Sequence, residues 1–407
     1  MLGPFGLRPK GTVSVRALPM AQTLVKRGHK VTLLVPSWDW PADAGRSWVE
    51  GGVCIECLPL PARVPIFFHL TLTLKLVQRA LASKPDVIHL FKPKGYTGLA
   101  QWTLITLRHL GRNVPHLVLD TDDSEQAWNP VAGYPGWQRL IFTWQEHWGL
   151  RHADAVTVAS LNLQDLAADV GVPRERIFYV PNGISPTVAS ILPDFLTDSS
   201  LQAGRQKDRI DVRRRHGLGQ HPVVLLYTRF AEFGLSHLVD LIHQLAKQAH
   251  MARWLVVGRG FAGEEKALIG QLKSRDLEQF VVFAGQVPAE DLPHYFAAAD
   301  VAAYPFDDTP INQARCSVKL TDLLTAGLPV VTDAVGQNTV YIIDGETGLL
   351  VSPGDSNAFV SALVRLLSDN SLRRRLGSAA QQRMLKHFTW STLIEAVEEA
   401  YRKGLDA

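Results

Sequence analysis

An arginine, a lysine and an aspartate in the C-terminal half have the types and spacing to hold a diphosphate and a ribose. Arg229 follows the apolar run 223–228, where a strand ends and a guanidinium can clamp phosphate oxygens through two parallel hydrogen bonds. Lys319 and Asp322 lie three residues apart in Ser317-Val318-Lys319-Leu320-Thr321-Asp322, so on a helix they are neighbours. A helix starting near residues 316–317 offers unbonded backbone N–H groups and a positive dipole end to an anion, with Lys319 adding a full charge in the first turn. Asp322 then supplies a carboxylate for both ribose hydroxyls. Gly258-Arg259-Gly260 closes a further apolar run, Val287 follows another, and Tyr304 ends a third. Arg229, Gly258, Arg259, Val287, Tyr304, Ser317, Val318, Lys319 and Asp322 therefore form a candidate nucleotide-diphosphate site. Arg229 and Lys319 are its candidate catalytic cations.

The N-terminal half holds a second candidate, Asp120-Thr121-Asp122-Asp123-Ser124. Asp122 or Asp123 can bind a sugar or acceptor hydroxyl, the D-x-D spacing can hold a metal, or Asp123 or Ser124 can cap a helix that continues through Glu125-Gln126. Gly11, at a loop–helix junction beside Arg8 and Lys10, is either an anion-binding turn or a plain one. The loop 3–12 begins almost at Met1, so the strand expected before a phosphate-cradling loop is missing. The expectation is a sequence that starts late by about five residues, a typical strand length. Cys54 and Cys57 form a C-x-x-C on a predicted strand, where positions three apart point to opposite faces. With no second pair to complete a zinc site, no metal is expected there.

The elements that must position these residues alternate. Short apolar runs at 31–35, 53–58, 86–90, 116–120, 155–159 and 177–180 are predicted strands, with helical patterns at 13–27, 66–82, 97–110, 136–151 and 162–169. After the turn Pro181-Asn182-Gly183 and a polar stretch at about 185–220, strands restart at 223–228, 254–257, 281–284, 301–304, 329–332 and 348–351. Helices at 356–368, 371–387 and 391–404 close the chain. This predicts two doubly wound α/β domains with parallel sheets, whose ligands bind beyond the carboxyl ends of the strands. The expected boundaries are 1–183, 184–387, and a C-terminal helix at 388–407 that returns to the N-terminal domain.

Composition sets limits. The 407 residues carry 46% hydrophobic and 20% charged side chains with a net charge of +3, enough for two cores and too weakly basic to argue for nucleic acid. The arginine-rich part of the 185–220 stretch is predicted to be a linker with a solvated helix. No run approaches the roughly 18 apolar residues of a membrane span, and no secretory signal opens the chain. A cytoplasmic protein that can touch a membrane from that side is expected. Trp128, Trp137, Phe142, Trp144 and Trp148 suit sugar stacking or a membrane interface, although buried core accounts for most of them more simply. The helix at 66–76 is likewise read as core beside a sheet. His29 and His89 read as structural or as supports behind a site.

Several phrases occur together: Arg27-Gly28-His29-Lys30-Val31, Pro85-Asp86-Val87-Ile88-His89, Val180-Pro181-Asn182-Gly183-Ile184, the 312–331 stretch ending Ala326-Gly327-Leu328-Pro329-Val330-Val331, and Gly345-Glu346-Thr347-Gly348-Leu349-Leu350-Val351. In their order and spacing they resemble the retaining GT-B glycosyltransferases of family 4, the group 1 glycosyltransferases. The resemblance covers nearly the whole chain. It implies two Rossmann-like domains facing a central cleft, and a hexosyltransferase of cell-envelope or polysaccharide synthesis. Such an enzyme moves a sugar from a nucleotide-diphosphate sugar to a hydroxyl acceptor with retention and needs no metal or other cofactor. In that family a glycine pair near the donor phosphates corresponds here to Gly11 alone. The diphosphate lysine falls at Phe233, and the E-x7-E glutamates fall at Ala314 and Asp322. Lys319 is expected to replace the missing charge. The same departures leave open a degenerate GT-B protein that binds without transfer, or a sugar-nucleotide epimerase. A nicotinamide dehydrogenase is disfavoured because no G-x-G-x-x-G opens a helix after a strand.

Overall fold

The structure, a computed structural model, describes residues 1–8, 11–62, 64, 67–185 and 199–403, without the side chains of 199–206. The chain forms two compact α/β units. One comprises Met1–Gly183, Ala314–Cys316 and Thr389–Ala407, and the other Ile184–Gln313 and Ser317–Phe388.

In the N-terminal unit β1 (Thr32–Val35), β2 (Ser47–Glu50) and β3 (Val53–Cys57) form one group, ordered β1-β3-β2. The strands β4 (Val87–Phe91), β5 (His116–Thr121), β6 (Ala155–Val158) and β7 (Ile177–Tyr179) form a second group in chain order. Leu2 joins them by parallel bridges to Leu34 and Leu90. Its N–H donates to the His89 carbonyl at 2.8 Å and its carbonyl accepts from Phe91 at 3.0 Å. The slot of a first strand, expected to be empty, is thus held by the three residues around Leu2. β5 and β6 are buried along their whole length, on both faces of the sheet, and apolar residues make up half or more of each.

β2 has no counterpart among the predicted strands. Its residues are mostly exposed, and it pairs antiparallel with β3 through a two-residue turn, Gly51-Gly52, both at positive φ. That turn geometry needs glycine and is the local signal that the apolar pattern lacks.

The helix Trp390–Arg402 belongs to this unit and is capped by Thr389, whose hydroxyl accepts from Thr392 N–H. Trp390, Ile394 and Val397 enter the core with Leu24, Val35 and Ile55. Arg27 clamps Glu398 with two bonds of 2.8 Å, and His29 meets the same carboxylate at 3.0 Å. His89 bonds the Tyr401 hydroxyl at 2.9 Å. Both histidines serve the packing of this helix.

The C-terminal unit has one parallel six-stranded sheet, ordered β10-β9-β8-β11-β12-β13, from β8 (Val223–Tyr227), β9 (Arg253–Val257), β10 (Val281–Gly285), β11 (Val301–Tyr304), β12 (Val330–Asp333) and β13 (Leu349–Val351). In the order of their appearance this is 3-2-1-4-5-6, the doubly wound Rossmann order, with its switch point between β8 and β11.

The basic helix Ser199–Arg215 is not simply solvated. Arg209 and Arg213 hold Asp300 at 2.7 and 2.8 Å and donate to the carbonyls of Ala297, Ala298 and Ala299. These arginines satisfy the end of the helix Leu292–Ala298, while Arg214 and Arg215 face solvent. The expectation of a buried aromatic segment also fails. Trp137 and Trp144 are exposed, together with Leu140 and Ile141 between them. The helix Phe67–Ala82 is core on one side only: Leu72, Leu76 and Val77 are buried, whereas Phe67, Leu70 and Leu74 are exposed.

Candidate functional site

The switch point of the C-terminal sheet gathers most of the predicted donor residues. β8 ends in Tyr227, Thr228 follows, and the chain then turns at Phe230, which sits at φ 61° with its N–H on the Thr228 hydroxyl at 2.7 Å. A bulky residue in the left-handed region is a costly conformation that needs support from its surroundings. Here Phe230 and Phe233 both turn into the core, which leaves the neighbouring Arg229 exposed. The position of the family's diphosphate lysine is therefore a packing residue in this chain.

A different lysine reaches the same loop. Lys319 Nζ lies 3.0 Å from Glu232 Oε1 and 5.9 Å from the centre of the Tyr227 ring. Glu232 is buried, and its other oxygen accepts from the Thr228 hydroxyl at 2.8 Å and from Ala231 N–H at 3.1 Å. Burial raises the Tyr227 hydroxyl pKa, and the charges of Asp322, Arg229 and Glu232 all act on it. Tyr227, at the end of β8, is thus a common neighbour of Lys319, Asp322, Arg229 and Glu232. Neither Glu232 nor Tyr227 stands out in the sequence, although each lies within five residues of Arg229.

The helix Val318–Thr325 begins beside them. Ser317 is its N-cap residue, but its hydroxyl is turned to Tyr304, 2.6 Å away, and makes no capping bond to the first turn. The amide end next to Val318 therefore has no side-chain acceptor of its own, as an anion site requires. Tyr304 is buried at the end of β11 and its carbonyl accepts from the Thr332 hydroxyl at 2.7 Å. Asp322 is buried and accepts from the Ser185 hydroxyl at 2.6 Å. Burial pushes its carboxyl up to about 7, against the opposing pull of Ser185 and Lys319. It is a less open ribose acceptor than the sequence suggests.

At the end of β9, Gly258 has φ +128°, and a Cβ there would stand 1.9 Å from the Thr228 carbonyl oxygen. Only glycine lets the β8 and β9 loops approach this closely. Arg259 is exposed just beyond it, and Val287 is half-buried past the end of β10. Arg229 rests over the Phe261 ring at 5.9 Å.

In the N-terminal unit, Asp122 and Asp123 follow β5 and meet Lys92, which follows β4. Lys92 Nζ lies 2.9 Å from Asp122, 3.0 Å from Asp123 and 3.2 Å from Glu125. Burial opposes the charge of Lys92, but the three carboxylates more than offset it and raise its pKa well above the usual range. Burial pushes both aspartates up. For Asp122, Lys92 and Arg16 outweigh it and the net shift is downward, whereas Asp123 stays raised because Asp122 and Glu125 add to the burial. Lys94 meets Glu125 at 2.6 Å. Ser124, rather than an aspartate, caps the helix Glu125–Val131, aided by Glu146, whose oxygens accept from the Glu125 and Gln126 N–H groups at 2.8 and 2.7 Å. Burial, with Glu125 close by, pushes Glu146 up to about 7.

Asp120 belongs to a separate network. Arg16 clamps it with two bonds of 2.7 Å and donates to Asn182 at 3.1 Å, and the Thr157 hydroxyl adds a bond of 2.6 Å. Asn182 in turn donates from its backbone N–H to Cys316 Sγ and from its side chain to the Cys316 carbonyl. The two aspartates of the D-x-D pair directly with different cations, Asp120 with Arg16 and Asp122 with Lys92. Among the described residues no cluster of three or more His, Cys, Asp and Glu side chains is arranged to hold a metal. Cys54 is half-buried and Cys57 buried on β3, both as free thiols. Gly11 accepts from Val15 N–H at 2.8 Å and from the Ser14 hydroxyl at 3.0 Å, which starts the helical turn Val13–Ala17. Arg8 is exposed over the Trp40 ring, and Lys10 lies outside the described residues. Arg16, Lys92 and Glu146 were missed in the sequence. The first two sit in or just after loops at strand ends, where the parallel-sheet rule places ligands.

Comparison with known proteins agrees with this architecture. Residues 11–183 match the model of the glycosyl transferase 4-like domain, and residues 221–369 match that of glycosyl transferases group 1. The chain is 26% identical over 243 residues to a GDP-mannose-dependent alpha-(1-6)-phosphatidylinositol monomannoside mannosyltransferase of Mycolicibacterium smegmatis, covering 59% of this chain and 60% of that protein. It is 24% identical to a phosphatidyl-myo-inositol mannosyltransferase of Mycobacterium leprae over 98% of this chain and 95% of the relative. The Anabaena HepE protein, solved in complex with UDP, superposes with a TM-score of 0.71 at 20% identity, covering 98% of each chain. The fold is GT-B, and the chain belongs to the group 1 glycosyltransferases.

Proposed function

We propose that this protein transfers a sugar from a nucleotide-diphosphate sugar to a hydroxyl acceptor, with retention of configuration. The observation that carries the reading is the meeting of Lys319 with the Glu232 loop of β8, 3.0 Å apart, beside an uncapped helix start at the switch point of a Rossmann-ordered sheet. The diphosphate binds at the Val318 amide end, held by Arg229 and Lys319, and Asp322 takes the ribose hydroxyls. As the sugar–phosphate bond breaks, negative charge grows on the leaving diphosphate, and these cations stabilise it more than the ground state. In the retaining reaction the acceptor hydroxyl attacks from the side the diphosphate leaves, and a diphosphate oxygen takes its proton.

Asp122 and Asp123 are proposed to orient the sugar or acceptor hydroxyls. The reaction is proposed to need no metal, because Asp120 is already neutralised by Arg16 and Asp122 by Lys92. The named relatives act on phosphatidylinositol lipids and one uses GDP-mannose, which makes a lipid or glycan hydroxyl the acceptor to test first. Work at a membrane surface, from the cytoplasmic side, belongs to the same reading.

The test is a thermal-shift panel of UDP, GDP, ADP and TDP sugars, followed by donor hydrolysis or transfer in EDTA. One nucleotide is expected to raise the melting temperature by mass action, with turnover that survives chelation. Binding without any turnover would instead support the degenerate reading favoured by Phe233 and Ala314. Turnover lost to EDTA and restored by a divalent ion would overturn the metal-free mechanism.

A further inference from the structure

We propose that the outward face of the helix Gly136–His152 docks on an anionic phospholipid surface, which gives the membrane part of the proposed function a definite place. Trp137, Leu140, Ile141 and Trp144 recur at the i, i+3, i+4, i+7 spacing that puts them on one helix face. They are 62%, 75%, 45% and 49% exposed. A soluble helix normally turns such a stripe into the core, and a contiguous exposed patch of this kind marks an interaction site. The opposite side of this helix already packs inward through Gln145, Glu146, Gly149 and Leu150. Leu140 and Trp144 line a groove of about 660 Å³ with Arg139 and Arg151.

Charge selects the occupant. The helices Phe67–Ala82, Gly95–His109 and Gly136–His152 pack as neighbours, the middle one touching both others. Glu146 is the only acidic residue in the three, and it is buried on the N–H groups of Glu125 and Gln126. Their exposed residues add Phe67, Leu70, Leu74 and Trp102 to the apolar stripe and Arg139 and Arg151 to the cations. Tryptophan rings settle at headgroup depth, leucine and isoleucine enter the acyl boundary, and guanidinium groups remain near lipid phosphates. A face with these three components and no exposed carboxylate complements an anionic bilayer. Among the described residues no helix is long and apolar enough to cross a membrane, and this one would lie in the interface plane.

The experiment is flotation of the full chain with phosphatidylcholine vesicles, alone or with one quarter phosphatidylglycerol, read without sugar donor. Wild type is expected to float with the phosphatidylglycerol vesicles and far less with phosphatidylcholine alone. L140Q/W144Q should bind at least tenfold more weakly. R139Q/R151Q should lose about fivefold per arginine at low salt, from the usual strength of a cation near an anionic surface. Thermal unfolding of each variant reports folding, and if L140Q/W144Q fails to fold, the arginine pair decides. No flotation, or flotation unchanged by both variants, would overturn the proposal. So would equal binding to both vesicle types, or a dimer seen by light scattering that L140Q/W144Q abolishes, which would make the face a protein interface. Because no sugar is involved, failure here leaves the transfer reading standing, and failure of transfer leaves this one.

Discussion

Both units place arginine and lysine at the carboxyl ends of their strands, and the two sets are held differently. In the N-terminal unit Arg16 is fully buried against Asp120, and Lys92 and Lys94 are shared among Asp122, Asp123 and Glu125. In the C-terminal unit Arg229 and Arg259 are exposed and form no ion pair among the described residues, and Lys319 meets the Glu232 carboxylate at 3.0 Å. A neutralised cluster suits hydroxyl groups, which need donors and acceptors in fixed places. Exposed cations beside a helix start suit a diphosphate, which brings its own negative charge. Under the proposed function, the difference gives each unit its own kind of ligand.

If the N-terminal cations are structural, breaking one should cost folding before it costs chemistry. Asp120→Ala strands the Arg16 guanidinium in the core, and the expected loss is about 3–5 kcal/mol of stability in urea unfolding. A variant with wild-type stability would mean that the buried pair does not hold the unit together. Arg229→Ala should do the reverse. The side chain is exposed, so the melting temperature should hold while kcat/KM falls by about 10²-fold, the usual loss of one charge-stabilising donor. Full activity in that variant would remove Arg229 from the site. Lys319→Ala is expected to cost less, more than about 1 kcal/mol in kcat/KM, because the amide end remains. Lys319→Arg keeps the charge and should recover part of the loss. Recovery of none would make Lys319 a spacer for Glu232 rather than a cation for the donor.

The fold was largely legible because its strands are buried on both faces and read as uninterrupted apolar runs, as Val118-Leu119 and Val224-Leu225-Leu226 do. What escaped had weak periodicity or distant partners. The strand Ser47–Glu50 is an exposed edge, and the helix Glu125–Val131 contains Pro130 and is held by Glu146 from another helix. The cations at 229 and 319 could be read because they follow a strand or open a helix. The burial of Phe233, the pairing of Arg209 and Arg213 with Asp300, and the exposed face of Trp137 and Trp144 could not, because the same residue types fit either side of a helix until its neighbours are known.

The smallest expected effect tests whether Asp322 belongs with the open or the closed set. Its carboxyl is pushed up to about 7, far above its value in an unfolded chain, so the folded protein holds a proton that the unfolded chain gives up first. Its contribution to stability must therefore decline as pH rises from about 4 to about 7 and level off above. Glu146, also pushed up to about 7, adds a slope of the same sign, so stability alone cannot separate the two residues. Donor affinity can. A carboxylate accepts from both ribose hydroxyls, whereas its protonated form gives up one acceptor position, so nucleotide binding should tighten as pH rises through about 7. The expected gain is a few-fold, about 1 kcal/mol for one hydrogen bond. Asp322→Asn should flatten that profile and Glu146→Gln should leave it intact. If the Asn variant keeps the wild-type profile, Asp322 serves only to hold Ser185, and the ribose is bound elsewhere.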